Sequence, residues 1–181
     1  LSPLTNKECV YYTYDVSEWR QHGKSGSWHT IKSGTKITPF YLEDESGKVL
    51  IDLKDAEIDM PMDYEWSGGM FKNPPAIVEP FLKKNKISYH GLLGMHKSLR
   101  FQEWYIEPRE TIYVMGTAGK NPHVKEGTSV RQEDSILIQK GTLNQHYYVS
   151  NKSEKGVRRS LLWKTIGGFI GGGAVIVISV S

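Results

Sequence analysis

The final sixteen residues carry no charge. Residues 166–181 read IGGFIGGGAVIVISVS, and such a run has two stable environments: lipid, or the interior of a folded unit. As a helix it extends roughly 24 Å, short of the ~30 Å hydrocarbon layer of a bilayer. Counted from Leu161 it becomes LLWKTIGGFIGGGAVIVISVS, about 31 Å of helix, which just crosses. Trp163 suits the headgroup belt, Lys164 is near enough to the end to snorkel, and Val175 and Ile176 lie in the apolar stretch. The competing reading is a core strand, because VIVISV is β-branched and the glycines before it can serve as a linker. The run ends without a polar flank after Ser181, as expected of a chain that stops within the bilayer or of a partial sequence.

Charge supports the membrane reading. Residues 150–164 contain Lys152, Lys155, Arg158, Arg159 and Lys164 against a single acid, Glu154. The preceding 149 residues hold 18 basic and 19 acidic side chains. A nearly neutral body makes nucleic acid a poor partner, whereas a basic cluster beside an apolar run is the expected cytoplasmic flank of a membrane span. Gly167 with Gly171, and Gly168 with Gly172, repeat at the small-xxx-small spacing that lets two helices approach closely. Two readings stay open: a homo-oligomer paired through this helix, or glycine that is simply common in membrane helices. No Gly-Lys-Ser/Thr follows these glycines, so a phosphate loop is not indicated.

The body reads as mainly β. ECVYYTYDV (8–16) is aromatic and β-branched, and residues 28–31 form a second strand after a GKSG loop. ITPFYLEDESGKVLIDL is a hairpin turning at residues 44–47. The acids of that turn are either a cation site or, the better reading, a solvated tip. Residues 56–73 read as irregular, 76–86 as a short helix with Pro80 near its start, and 87–99 as loop. FQEWYIEPRETIYVMGTAG reads as a second hairpin, with arms at 101–106 and 111–117. Two further strands are expected at 135–139 and 146–150.

Catalytic patterns are sparse. The six histidines, His22, His29, His90, His96, His123 and His146, form no HxH or HExxH pair. His90 and His96 share one loop, and a metal enzyme built on them needs an acid from elsewhere, with Glu103 the candidate. Glu103, Glu107 and Glu110 cluster along the 101–117 segment, where an acid–base pair competes with an ion pair from Glu103 to Arg100 or a solvated strand face. Cys9 is the sole cysteine. It excludes an internal disulfide framework and a Cys-rich zinc site, and it reads as a small packing residue rather than a nucleophile. Ten tyrosines and five tryptophans suit either a protein interface or a small β core.

SPLTNKECVYY, TPFYLEDESGKVLID and LRFQEWYIEPRETIYVMGTA, in that order, resemble the GIDE domain. This is the "beside a membrane" module of the mitochondrial-anchored ubiquitin ligases and their bacterial and archaeal relatives. The resemblance implies a β-rich domain between two membrane helices. Ser2-Pro3-Leu4-Thr5 is similar to the entry after the first, and residues 158–181 to the start of the second. In the eukaryotic ligases a RING domain after the second helix carries the activity. One cysteine cannot supply it, so ligase chemistry is not carried over.

The resulting expectation is a compact antiparallel sheet or small barrel-like body with one short helix over residues 1–157, then a transmembrane helix over 158–181. The protein is expected to use no cofactor and to act as an interaction scaffold on the bilayer, with a protein partner. The alternative is part of a ligase-like membrane protein whose RING lies elsewhere. The basic flank predicts a cytoplasm-facing body in a prokaryote, and the eukaryotic relatives imply the mitochondrial intermembrane space.

Overall fold

The computed structural model describes residues 1–45, 47–69, 72–91, 96–122, 124, 135–142, 146–152 and, for the backbone alone, 175–177. Twelve strands and one α-helix lie among them: β1 (Tyr11–His22), β2 (Ser25–Ile37), β3 (Phe40–Asp44), β4 (Gly47–Ile51), β5 (Glu57–Asp59), β6 (Tyr64–Gly68), α1 (Glu79–Lys84), β7 (Leu99–Ile106), β8 (Tyr113–Met115), β9 (Thr117–Lys120), β10 (Ile136–Gln139), β11 (Tyr148–Ser150) and β12 (Val175–Val177). The class is mainly β with one short helix, as its alternating patterns predict. The strands divide between two compact units, one made of Leu1–Lys36 with Pro61–Pro108, the other of Ile37–Met60 with Arg109–Ser181. The expected boundary at 157/158 lies outside the described residues.

The first unit holds one sheet in the order β2-β1-β7-β6. β1 and β2 turn at Gly23, whose φ of 61° is the value a type II′ hairpin reserves for glycine. The second strand is thus far longer than 28–31, because only Gly23 and Lys24 are needed to reverse the chain. β7 is central. Tyr14, Val16 and Glu18 of β1 stand opposite Glu103, Phe101 and Leu99, while Tyr64 and Trp66 of β6 stand opposite Glu103 and Phe101. Period two sends Leu99, Phe101 and Glu103 to one face. There they meet Leu4, Val16, Val78, Phe81 and Leu82 in a buried cluster to which Tyr14, Tyr64, Trp66 and Tyr89 add their rings; Glu103 is itself buried.

Two expectations are corrected here. Residues 56–73 are not irregular, since they contain β5 and β6. Pro61 and the glycines obscure the alternation of Tyr64, Trp66 and Gly68, and a side chain at Gly68 would strike the Trp66 ring at 2.3 Å. Residues 101–117 are not a hairpin, since β7 and β8 belong to different sheets in different units. Both hydrogen-bonding edges of β7 are already taken, by β1 and β6.

α1 follows a 3₁₀ turn at Ala76–Val78, with Pro80 in the first turn, where its missing N–H costs nothing. The helix ends in a Schellman motif. Lys86 takes φ 54°, its N–H bonds to the Lys83 carbonyl at 3.2 Å, and the Ile87 N–H reaches the Leu82 carbonyl at 3.0 Å. This sharp stop sends the chain directly into Tyr89 and His90.

The second unit carries two sheets, β3-β4-β10-β9 and β12-β8-β11-β5. The β3–β4 hairpin is as predicted, with the Gly47 N–H on Asp44 Oδ1 at 3.1 Å. Most strand pairs are antiparallel, as expected, but β10 runs parallel to β4 and β11 parallel to β5. Hairpins enforce antiparallel neighbours, but these partners are distant in sequence and join through long connections. Tyr147 links the strands: its hydroxyl donates to the Asp52 carbonyl at 2.8 Å and the Ile138 carbonyl at 3.3 Å, and burial raises its pKa above the usual phenolic range. Gly116 lies against this tyrosine. A Cβ there would come within 2.8 Å of the Tyr147 ring and 2.9 Å of Ile138, both buried. Gly116→Val is therefore expected to destabilise this unit by about 1–3 kcal/mol, read as a lower denaturant midpoint at unchanged m-value.

A helix at the very end of the chain is also corrected. Val175–Val177 is a strand, paired antiparallel with Tyr113–Met115. A β-branched triplet gains backbone partners along the free edge of β8. Among the described residues no helix is long and apolar enough to cross a membrane.

Candidate functional site

The carboxylate of Glu103 organises the N-terminal turn. Its side chain is fully buried, yet it ends among donors: the Leu4 N–H on Oε1 at 2.7 Å, and the Thr5 N–H at 3.1 Å, Thr5 hydroxyl at 2.5 Å and Ser2 hydroxyl at 3.1 Å on Oε2. The turn closes on itself through the Ser2 N–H to the Lys7 carbonyl at 2.7 Å, with Asn6 at φ 57°. A buried carboxylate is tolerable only when its lone pairs are satisfied in this way. Beside it, the Tyr64 hydroxyl is buried without a hydrogen-bond partner, and burial and then the charge of Glu103 raise its pKa, so it stays neutral.

The expected roles of Glu103 are thereby corrected. It is neither a solvated strand residue nor an ion-pair partner of Arg100, which points to the opposite face of β7 with its guanidinium 4.9 Å from the Trp28 ring. It is also not free to serve a histidine-based centre. The signal was present in LRFQEWYI, where alternation through Leu99 and Phe101 puts Glu103 on the inward side. Glu107 is partly exposed and pairs with Lys7 at 3.5 Å, whereas Glu110 accepts from Asn151 in the second unit. The three acids do not converge. Among the described residues no three His, Cys, Asp or Glu side chains form a metal-binding group.

Cys9 is half-buried, and burial, the largest influence, pushes its thiol pKa up. A thiol held in its protonated form is a poor nucleophile. The aromatic residues divide between core and surface. Tyr14 packs edge-on against Phe81 at 5.2 Å in the core, while Trp19 and Trp28, in contact at 5.4 Å, leave Trp19 substantially exposed.

His90 and His96 face each other. They are partners in an antiparallel β-bridge, with ring centres 5.4 Å apart and planes at 71°. Tyr89 contacts both rings, at 4.2 and 5.3 Å. A surface cleft of about 520 Å³ opens beside His90, lined also by Glu79, Lys83, Lys86 and Ser88.

Of the expected membrane-facing residues, Lys152 is described and binds Asp59 Oδ2 at 2.8 Å. Val175 and Ile176 stand opposite Met115 and Val114 in the sheet. Lys155, Arg158, Arg159, Trp163, Lys164, Gly167, Gly168, Gly171 and Gly172 lie outside the described residues.

The family model described as GIDE, E3 ubiquitin ligase, matches residues 10–181. The chain belongs to the GIDE family. The match covers nearly all of the sequence, but it begins after the Ser2–Thr5 turn. No curated protein and no solved structure shows a significant match.

Proposed function

We propose that this chain is a ubiquitin-ligase-related interaction domain that works beside a membrane, engages a protein partner, and supplies no catalytic centre of its own. The observation that carries this reading is the continuity of the family match, which takes the β-rich body and the charge-free end into a single pattern from residue 10 to residue 181. A RING domain needs a full set of Cys and His zinc ligands, and the sequence has one cysteine. A ligase that passes ubiquitin through a thioester needs a thiolate, and the burial of Cys9 opposes one. The basic side chains of Lys155, Arg158, Arg159 and Lys164 favour anionic headgroups by about 1 kcal/mol each, next to an apolar run with Trp163 at its edge. Where a RING acts with this domain, it is brought by residues outside this sequence.

Vesicle flotation tests the membrane part. The chain is expected to float with vesicles containing anionic lipid, and the double substitution Phe169→Asp, Ile170→Asp is expected to leave it at the bottom of the gradient. An unsubstituted chain that does not float removes the membrane from the proposal. Incubation with ubiquitin-activating enzyme, a conjugating enzyme and ubiquitin tests the other part. No conjugates are expected from this chain alone, and conjugates that depend on Cys9 would overturn the non-catalytic assignment.

A further inference from the structure

We infer that His90 and His96 form a two-imidazole site for a divalent transition-metal ion, with its remaining coordination positions open to solvent or to an added ligand. The sequence places the two on one loop, but five residues separate them and neither HxH nor HExxH is present, so spacing alone does not bring them together. The backbone brings them together. The Lys97 N–H donates to the Tyr89 carbonyl at 2.8 Å, and His90 and His96 become cross-strand partners. Side chains of such a pair project to the same side and meet.

The separation of the rings fits one ion. With a Zn–N bond of about 2.0–2.1 Å and the ring nitrogen about 1.1 Å from the ring centre, two imidazoles on a tetrahedral ion have centres about 5.2 Å apart. The observed value is 5.4 Å. Nδ1 of His96 is buried and has no hydrogen-bond partner, and a metal is the kind of partner such a nitrogen accepts. Tyr89 packs against both rings and restricts their rotation, which lowers the entropy lost on binding. Ser88 Oγ accepts from the His90 N–H at 3.2 Å, holding the backbone there. His90 is exposed and borders the cleft, so an ion has a route in. Among the described residues no third protein ligand converges on the pair. The site is therefore an open one, suited to Zn²⁺, Ni²⁺ or Cu²⁺, which favour imidazole nitrogen, rather than to Mg²⁺ or Ca²⁺, which demand oxygen.

The chain contains its own control. His22 and His29 also contact each other, at 5.7 Å and 68°, but His29 Nε2 is already hydrogen-bonded to Ser27 Oγ at 3.0 Å. The experiment is a Zn²⁺ titration of the intact chain in non-chelating buffer, followed through the histidine ring resonances and by calorimetry. Resonances of His90 and His96 are expected to shift together and saturate at one equivalent. His90→Ala and His96→Ala are each expected to weaken binding at least tenfold with unchanged thermal midpoints in the absence of metal. His22→Ala with His29→Ala is expected to leave affinity within twofold. Saturation at His22 and His29 instead, shifts spread evenly over all the histidines, or single variants at 90 and 96 that bind as the parent does would each overturn the assignment. If His96→Ala lowers the thermal midpoint, His90→Ala, at the exposed position, decides alone.

Discussion

Glu103→Ala is expected to cost about 3–5 kcal/mol of unfolding free energy, because it deletes the acceptor for two backbone N–H groups and two hydroxyls and leaves a cavity beneath them. Against a typical domain stability of about 5–15 kcal/mol, that is a large fraction. Glu103→Gln keeps the volume but offers one acceptor oxygen where the turn presents donors from both Leu4 and Thr5, so a loss of about 2 kcal/mol is expected. Denaturant unfolding measures both. Amide exchange locates the effect: Leu4 and Thr5 are expected to lose protection first in the Gln variant, before the β1–β7 ladder does. Equal stability of the Gln variant and the parent would show that the N-terminal turn does not depend on the carboxylate.

Phe101→Ala is the second large effect, at about 3–5 kcal/mol. Phe101 is fully buried on the central strand, between Val16 and Trp66, with its ring 5.6 Å from that of the tryptophan. A cavity there borders β1 and β6 at once, and neither can move inward without breaking its ladder to β7. Phe101→Leu retains most of the volume and is expected to cost less than about 1.5 kcal/mol. A similar loss in both variants would mean that the aromatic contact with Trp66, rather than filled space, holds the cluster together.

Glu103 and Phe101 sit two residues apart on the same strand and show how much of this molecule is local. Alternation in LRFQEWYI identifies the strand, its inward face, and the anomaly of a carboxylate on that face. Nothing local says what meets that carboxylate, because the donors come from Ser2, Leu4 and Thr5, nearly a hundred positions earlier. The same holds for His90 and His96, whose partnership depends on a backbone bridge and not on spacing. It holds again for β8, whose strand character is evident from TIYVM but whose neighbours are β11 and β12 rather than β7.

By itself, the sequence determined the class of the fold, the β3–β4 hairpin, the short proline-started helix, the family, and the separation of a near-neutral body from a charge-free end. Each of these depends on composition or on contacts within a few residues, where side-chain period and turn chemistry act directly. Tertiary structure alone decided which sequence-distant strands pair, the division into two units, the satisfied burial of Glu103, and the backbone pairing of Val175–Val177 with β8. Those outcomes depend on which hydrogen-bonding edges and buried donors are still unoccupied when distant segments meet, and no stretch of sequence carries that information alone.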